Sequence, residues 1–166
     1  MWSNVKDHFS KYPAQQKVAQ RMLEYGISVR GNQPYCGDVQ ISYSALAKAC
    51  GTDRRIVSAA IETINADKFL MDIFGYIRPT ASYKDMAKAM GWGVLEIIPE
   101  DVNEPGIISK VTGVLANRGI NIRQFIADDP DISDNPRSFI ITESRIPGAL
   151  LQKIKDVPGV SAVVIY

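Results

Sequence analysis

Histidine is nearly absent from this chain: of 166 residues, His8 is the only one. It lies before Pro13 with nothing nearby to orient it, and is expected as a surface residue. Catalysis by proton transfer or covalent attack needs a tuned group held by a partner, and no such pair is legible. Phosphate-cradling GxxxxGK and the nucleophile elbow GxSxG are both missing. The "GWG" at 91–93 is too short for dinucleotide binding. Asp128, Asp129, Asp131 and Asp134 are oxygen ligands in type, but their spacing lacks the glycine and terminal glutamate of a calcium loop, so a solvated acidic loop is expected. The chain is therefore expected not to be an enzyme and to need no metal or cofactor.

Cysteine is scarce as well. Cys36 and Cys50 are the two thiols; they are expected to be reduced rather than bridged, with Cys50 packed on an apolar helical face. No window reaches the ~18 consecutive apolar residues of a membrane span, and "MWSNVKDHFSKY" lacks the apolar centre of a signal peptide. A cytoplasmic protein that does not enter a membrane is the expectation.

The bulk of the chain is that of a globular protein, 46% apolar and 22% charged, with a net charge of +1. That small total conceals two unlike halves. Residues 1–92 carry 12 Lys/Arg against 8 Asp/Glu, a net +4; residues 93–166 carry 7 against 10, a net −3. A basic piece joined to an acidic one points to two modules with different partners.

Pro13 suits the first turn of a helix, and "PAQQKVAQRMLEYG" places Ala14, Val18, Ala19, Met22 and Leu23 on one stripe ending at Gly26. "ISVR" and "VQIS" read as short strands, with "GNQPYCGD" a loop between them. Ser42 can cap a helix over Tyr43–Cys50. Gly51 ends it, and Thr52 can cap a second helix reaching about Asn65, on which Val57, Ala60, Ile61 and Ile64 follow helical spacing. "KFLMDIFGYIRP" is either a small hairpin or a buried apolar segment. Ser82 and Asp85 form a capping box for a connector helix ending at Gly91.

From Gly93 the order of expected elements is β-α-β-β-α-β: "GVLEIIP", "GIISKVTGVLANRG", "INIRQFIAD", "RSFIITES", "GALLQKIKDV" and "GVSAVVIY". That order builds a ferredoxin-like four-stranded antiparallel sheet with two helices on one face. The expected organisation is α+β: a helix-turn-helix domain over 1–78, a connector over 79–92 and a ferredoxin-like domain over 93–166.

Ala47, Gly51 and Val57 have the spacing a helix-turn-helix needs. The small residue lets the helices approach, the glycine makes the turn, and the apolar residue seats the second helix. With Leu46, Ile56 and Ile61 at core positions, this stretch resembles the helix-turn-helix of winged-helix transcriptional regulators. Thr52, Asp53, Arg54, Arg55 and Ser58 would then be exposed at the start of the second helix, where a recognition helix meets base edges. Arg54 and Arg55 suit guanine, and the hydroxyls of Thr52 and Ser58 suit phosphate; otherwise they form a solvated face.

The strand "VLEIIPED", the turn "NEPGI", the helix "ISKVTGVLANRG" and the following "INI" resemble an ACT domain, a small-ligand regulatory module. The resemblance covers 93–166. It implies an effector site at the corner and helix start, at a subunit interface. Carried onto this sequence, the site comprises Asn103, Glu104, Pro105, Gly106, Ile107 and Ile108, opposed by Asn121 and Ile122. Helix N–H groups beyond Gly106 would receive a carboxylate, and Asn103 and Glu104 an amino group. The acidic "ADDPDISDNPR" is longer than the compact family form, and 66–92 matches no familiar wing. Both modules in this order resemble an archaeal-type family of predicted regulators of amino-acid metabolism. The resemblance implies a homodimeric, ligand-responsive transcription regulator that binds double-stranded DNA and senses an amino acid or similar metabolite. The alternative is an ACT regulatory subunit that docks on a metabolic enzyme without touching DNA.

Overall fold

Helical order begins before Pro13. In the computed structural model, which describes residues 2–166, helix α1 spans Trp2–His8 and buries Val5. Helix α2, Pro13–Glu24, starts on the proline as expected and buries Val18, Ala19, Met22 and Leu23. The chain folds as two compact units, Met1–Ala81 and Ser82–Tyr166.

In the first unit, strands β1 (Ile27–Arg30), β2 (Gln33–Cys36) and β3 (Val39–Gln40) form a three-stranded antiparallel sheet in that order. The "GNQPYCGD" stretch expected as a loop thus contributes its middle as a strand. Pro34 gives the ladder no N–H, but its carbonyl accepts from Ile41 N–H at 2.8 Å. Helix α3 is Tyr43–Cys50, capped by Ser42 Oγ on Ala45 N–H and closed by Gly51 at φ +63°. Helix α4, Arg54–Ala66, buries Val57, Ala60, Ile61 and Ile64, the four residues its spacing selects. Its cap is Asp53, not Thr52: Asp53 Oδ1 accepts from Arg55 N–H at 2.7 Å and Ile56 N–H at 3.2 Å. Thr52 instead closes the preceding helix through its N–H to Ala47 O, 3.0 Å.

"KFLMDIFGY" is neither hairpin nor wing. It is helix α5, Lys68–Tyr76, with Leu70 and Phe74 buried. The sheet therefore precedes the helix pair instead of following it as a wing does. His8 is exposed, as expected, but it does have partners. Its Nδ1 lies 2.6 Å from Asp67 Oδ2, and its ring stacks on Phe69 at 5.2 Å. Asp67 comes from 59 residues away, so local sequence gives no sign of it.

The second unit runs β4 (Gly93–Pro99), α6 (Ile107–Ala116), β5 (Ile122–Ala127), β6 (Ser138–Thr142), α7 (Ala149–Lys155) and β7 (Val160–Ile165). Strand order is β5-β6-β4-β7, all antiparallel, which is the ferredoxin-like arrangement. Leu95, Ile97 and Ile140 pack on one face against Val111, Leu115, Leu150 and Ile154 of the helices. The expected connector helix over 79–92 is not one. Residues 84–91 form consecutive turns with bonds such as Ala89 N–H to Met86 O, 3.0 Å. Ala87 and Trp92 cover Val94, Ile141 and Phe139 on the sheet face the helices leave open. Packing on that face holds the segment in place of regular helix.

Among the described residues no helix is long and apolar enough to cross a membrane. Cys36 and Cys50 are free, half-buried thiols.

Candidate functional site

The first region lies where β4 turns into α6. Gly106 takes φ +88°, a conformation costly to any residue with a Cβ, and so sets the entry of the chain into the helix. No side chain caps α6, which leaves its first-turn N–H groups without partners from within the helix. Beside this end is a cleft of about 270 Å³. Glu104, Gly106, Ile107 and Ile108 line it, as do Ile97, Pro99 and Val102. Strand β5 adds Phe125 and Ala127, and the loop into β6 adds Asp128, Pro130 and Pro136, with Arg137 and Ser138 completing the wall.

Four residues expected at this site, Glu104, Gly106, Ile107 and Ile108, line one cleft. Asn103 and Pro105 lie next to it. The Asn103 amide nitrogen is turned back to Asp101 Oδ1 at 3.3 Å. Asn121 and Ile122 line a separate depression with Ser109, Thr112 and Gly113, and Asn121 Nδ2 donates to Glu143 Oε2 at 3.0 Å. The strand and loop residues of the cleft were missed. Phe125, a large apolar side chain left 42% exposed on an edge strand, reveals its place in the wall only once the strand order is known; for Pro130 and Pro136 the one signal was the length of their loop.

Glu104 Oε1 is 3.9 Å from Lys110 Nζ, a long and partly solvated ion pair. Asp128 Oδ2 accepts from Arg137 N–H at 3.1 Å. The Arg137 guanidinium is committed to Glu96, which also accepts from the Tyr166 hydroxyl. Burial by itself pushes the Glu96 carboxyl up, but those two hydrogen bonds and the Arg137 and Lys84 charges outweigh it and hold it below the ordinary carboxylate range. The acidic loop makes its own turns, with Asp129 Oδ1 accepting from Asp131 N–H at 2.8 Å. Among the described residues no three His, Cys, Asp or Glu side chains gather as a metal site.

The second region is the start of α4. Arg54, Arg55 and Ser58 line a shallow depression with Tyr43, Ala59 and Glu62. Arg54 and Arg55 are exposed, and Thr52 is half-buried outside the depression. Ser58 Oγ donates to Glu62 Oε1 at 3.2 Å. Tyr43, at the start of α3, was not anticipated; its hydroxyl donates to Asn32 O.

The C-terminal unit thus has a ferredoxin-like α+β fold with an uncapped helix end beside a cleft. Residues 102–159 match the model of the ACT domain. Among solved structures, the ACT domain of a GTP pyrophosphokinase of Chlorobium tepidum is 20% identical, over 45% of this chain and 96% of that one, with a TM-score of 0.35. The leucine response regulatory protein of Mycobacterium tuberculosis is 14% identical over 92% of this chain and 88% of that chain, at a TM-score of 0.30. An AsnC family transcriptional regulator from Agrobacterium tumefaciens is 12% identical over 92% and 86% of the two chains, at 0.31.

Proposed function

We propose that this protein is a ligand-responsive, DNA-binding transcription regulator of the cytoplasm, not an enzyme, whose ACT domain senses an amino acid. The observation that carries the reading is the cleft at the α6 N-terminus within the segment that matches the ACT domain. Unpaired amide N–H groups and the positive end of the helix dipole accept a carboxylate there. Glu104, held only by a 3.9 Å ion pair, is available to an ammonium group.

The helix-turn-helix supplies the DNA side. Arg54 and Arg55 stand exposed at the first turn of α4, in the position from which a recognition helix reads the major groove. Asp53 spends its carboxylate on the helix cap, which lessens its repulsion of phosphate. A homodimer fits this reading, since two recognition helices about one DNA turn apart (~34 Å) read a two-fold site. The sheet's outer strands, β5 and β7, offer edges for pairing between subunits.

Fluorescence anisotropy with duplex DNA at rising salt tests the proposal. Affinity should fall steeply with salt through counterion release. Arg54→Ala with Arg55→Ala should abolish binding, while sedimentation shows the assembly unchanged. No binding at low salt would favour a regulatory subunit docking on an enzyme.

A further inference from the structure

We propose that the ligand of the α6 cleft is an amino acid with an apolar side chain, branched or aromatic, and that Val102, Phe125, Pro130 and Pro136 select it. The inference rests on the amino-acid reading above and adds the identity of the side chain.

Three parts of the chain contribute these walls. Val102 comes from the turn before α6, Phe125 from the edge strand, and the two prolines from the long 128–137 loop. Val102 and Phe125 are each 42% exposed to water, although both line the same concave surface. Apolar area of this kind, gathered in a cleft with Ile107 and Ile108, is removed from water when an apolar group fills it. At about 270 Å³ the cleft suits a ligand smaller than a typical drug-sized molecule.

The polar groups narrow the choice. Arg137 is the one basic residue of the lining, and its guanidinium is already bonded to buried Glu96. A side-chain carboxylate on the ligand would find no uncommitted cation among the lining residues and would face Glu104 and Asp128. Glu104, just before the helix, is left for the α-ammonium, while Asp128 accepts one bond from the Arg137 N–H and keeps its charge. A side-chain ammonium would still have to leave water for walls that are mostly apolar. Ser138 is the one hydroxyl-bearing residue in the lining, so a polar side chain buried there would lose more hydrogen bonds to water than it regained.

Calorimetry on the full chain with L-leucine, L-phenylalanine, L-alanine, L-serine, L-aspartate and L-lysine decides the matter. Leucine or phenylalanine should bind at least tenfold tighter than alanine or serine, since a methylene in an apolar pocket is worth roughly 10–200-fold. Aspartate and lysine should give no heat. Phe125→Ala should weaken the preferred ligand about tenfold. Ala127→Asp, at an exposed position of the same wall, should abolish binding while thermal unfolding without ligand stays cooperative. Serine, aspartate or lysine binding as tightly as leucine would overturn the inference and leave amino-acid sensing standing. Indifference to Phe125→Ala and Ala127→Asp would do the same. No heat with any of the six would overturn both.

Discussion

Glu96 lies in the middle of the sheet, 1% exposed, and its carboxylate is held by Arg137, just before β6, and Tyr166, just after β7. A buried charge persists only when its partners offset the loss of water. Its carboxyl sits below the ordinary value in the folded state, so the stability it contributes is present above the unfolded pKa, about 4.3, and is lost as pH falls through the folded one. Glu96→Gln should therefore cost about 2 kcal/mol near neutral pH, the worth of hydrogen bonds to a charged group. The difference from the parent should shrink as pH drops below 4, in urea unfolding followed at both pH values. In the sequence Glu96 reads as one polar residue in an apolar strand. Its partners lie 41 and 70 residues away, which is why it was not singled out. Gly106 is the opposite case: its role at the corner follows from its neighbours, because the need for positive φ is local.

Helices with clear periodicity and local caps were legible in outline. Helix α4 owes its buried face to spacing alone, and α6 likewise buries Ile107, Val111 and Leu115 from the expected stripe. The cap of α4 was displaced by one residue, since Thr52 and Asp53 both have the chemistry of a cap and the backbone bonds at the end of α3 decide between them. Asp53→Ala should cost about 1 kcal/mol, whereas Thr52→Ala should cost clearly less; equilibrium urea unfolding of the two variants separates these outcomes. Helix α5 was ambiguous because a short apolar run with a central glycine fits strand and helix alike. Burial of Leu70 and Phe74, four residues apart, resolves it. The turns at 84–91 show the converse, local helix signals overruled by the packing of Ala87 and Trp92 on the sheet.

For the whole molecule, the proposed regulator would divide its two tasks between the two units of the chain, and the charge bias of the two halves fits that division. Linkage makes the proposal quantitative. An effector that alters DNA affinity by a given factor must have its own affinity altered by the same factor when DNA is bound, typically 5–150-fold. Titrating the preferred amino acid with and without saturating duplex, and the duplex with and without saturating amino acid, should return one number. Two unequal factors would mean that the bound species differ between the experiments.

The sequence by itself determined the two-part organisation, the helix-turn-helix and the β-α-β-β-α-β order, because periodicity, caps and turn residues act over a few positions. It also marked the corner at Pro105-Gly106. Only the tertiary structure decided what faces that corner. Phe125, Asp128 and Pro136 reach the cleft through the pairing of β5 with β6, His8 meets Asp67 through helix packing, and the 82–92 segment is fixed on the sheet. Each of those contacts joins residues distant in sequence, and such contacts form only when hydrophobic burial brings the elements together.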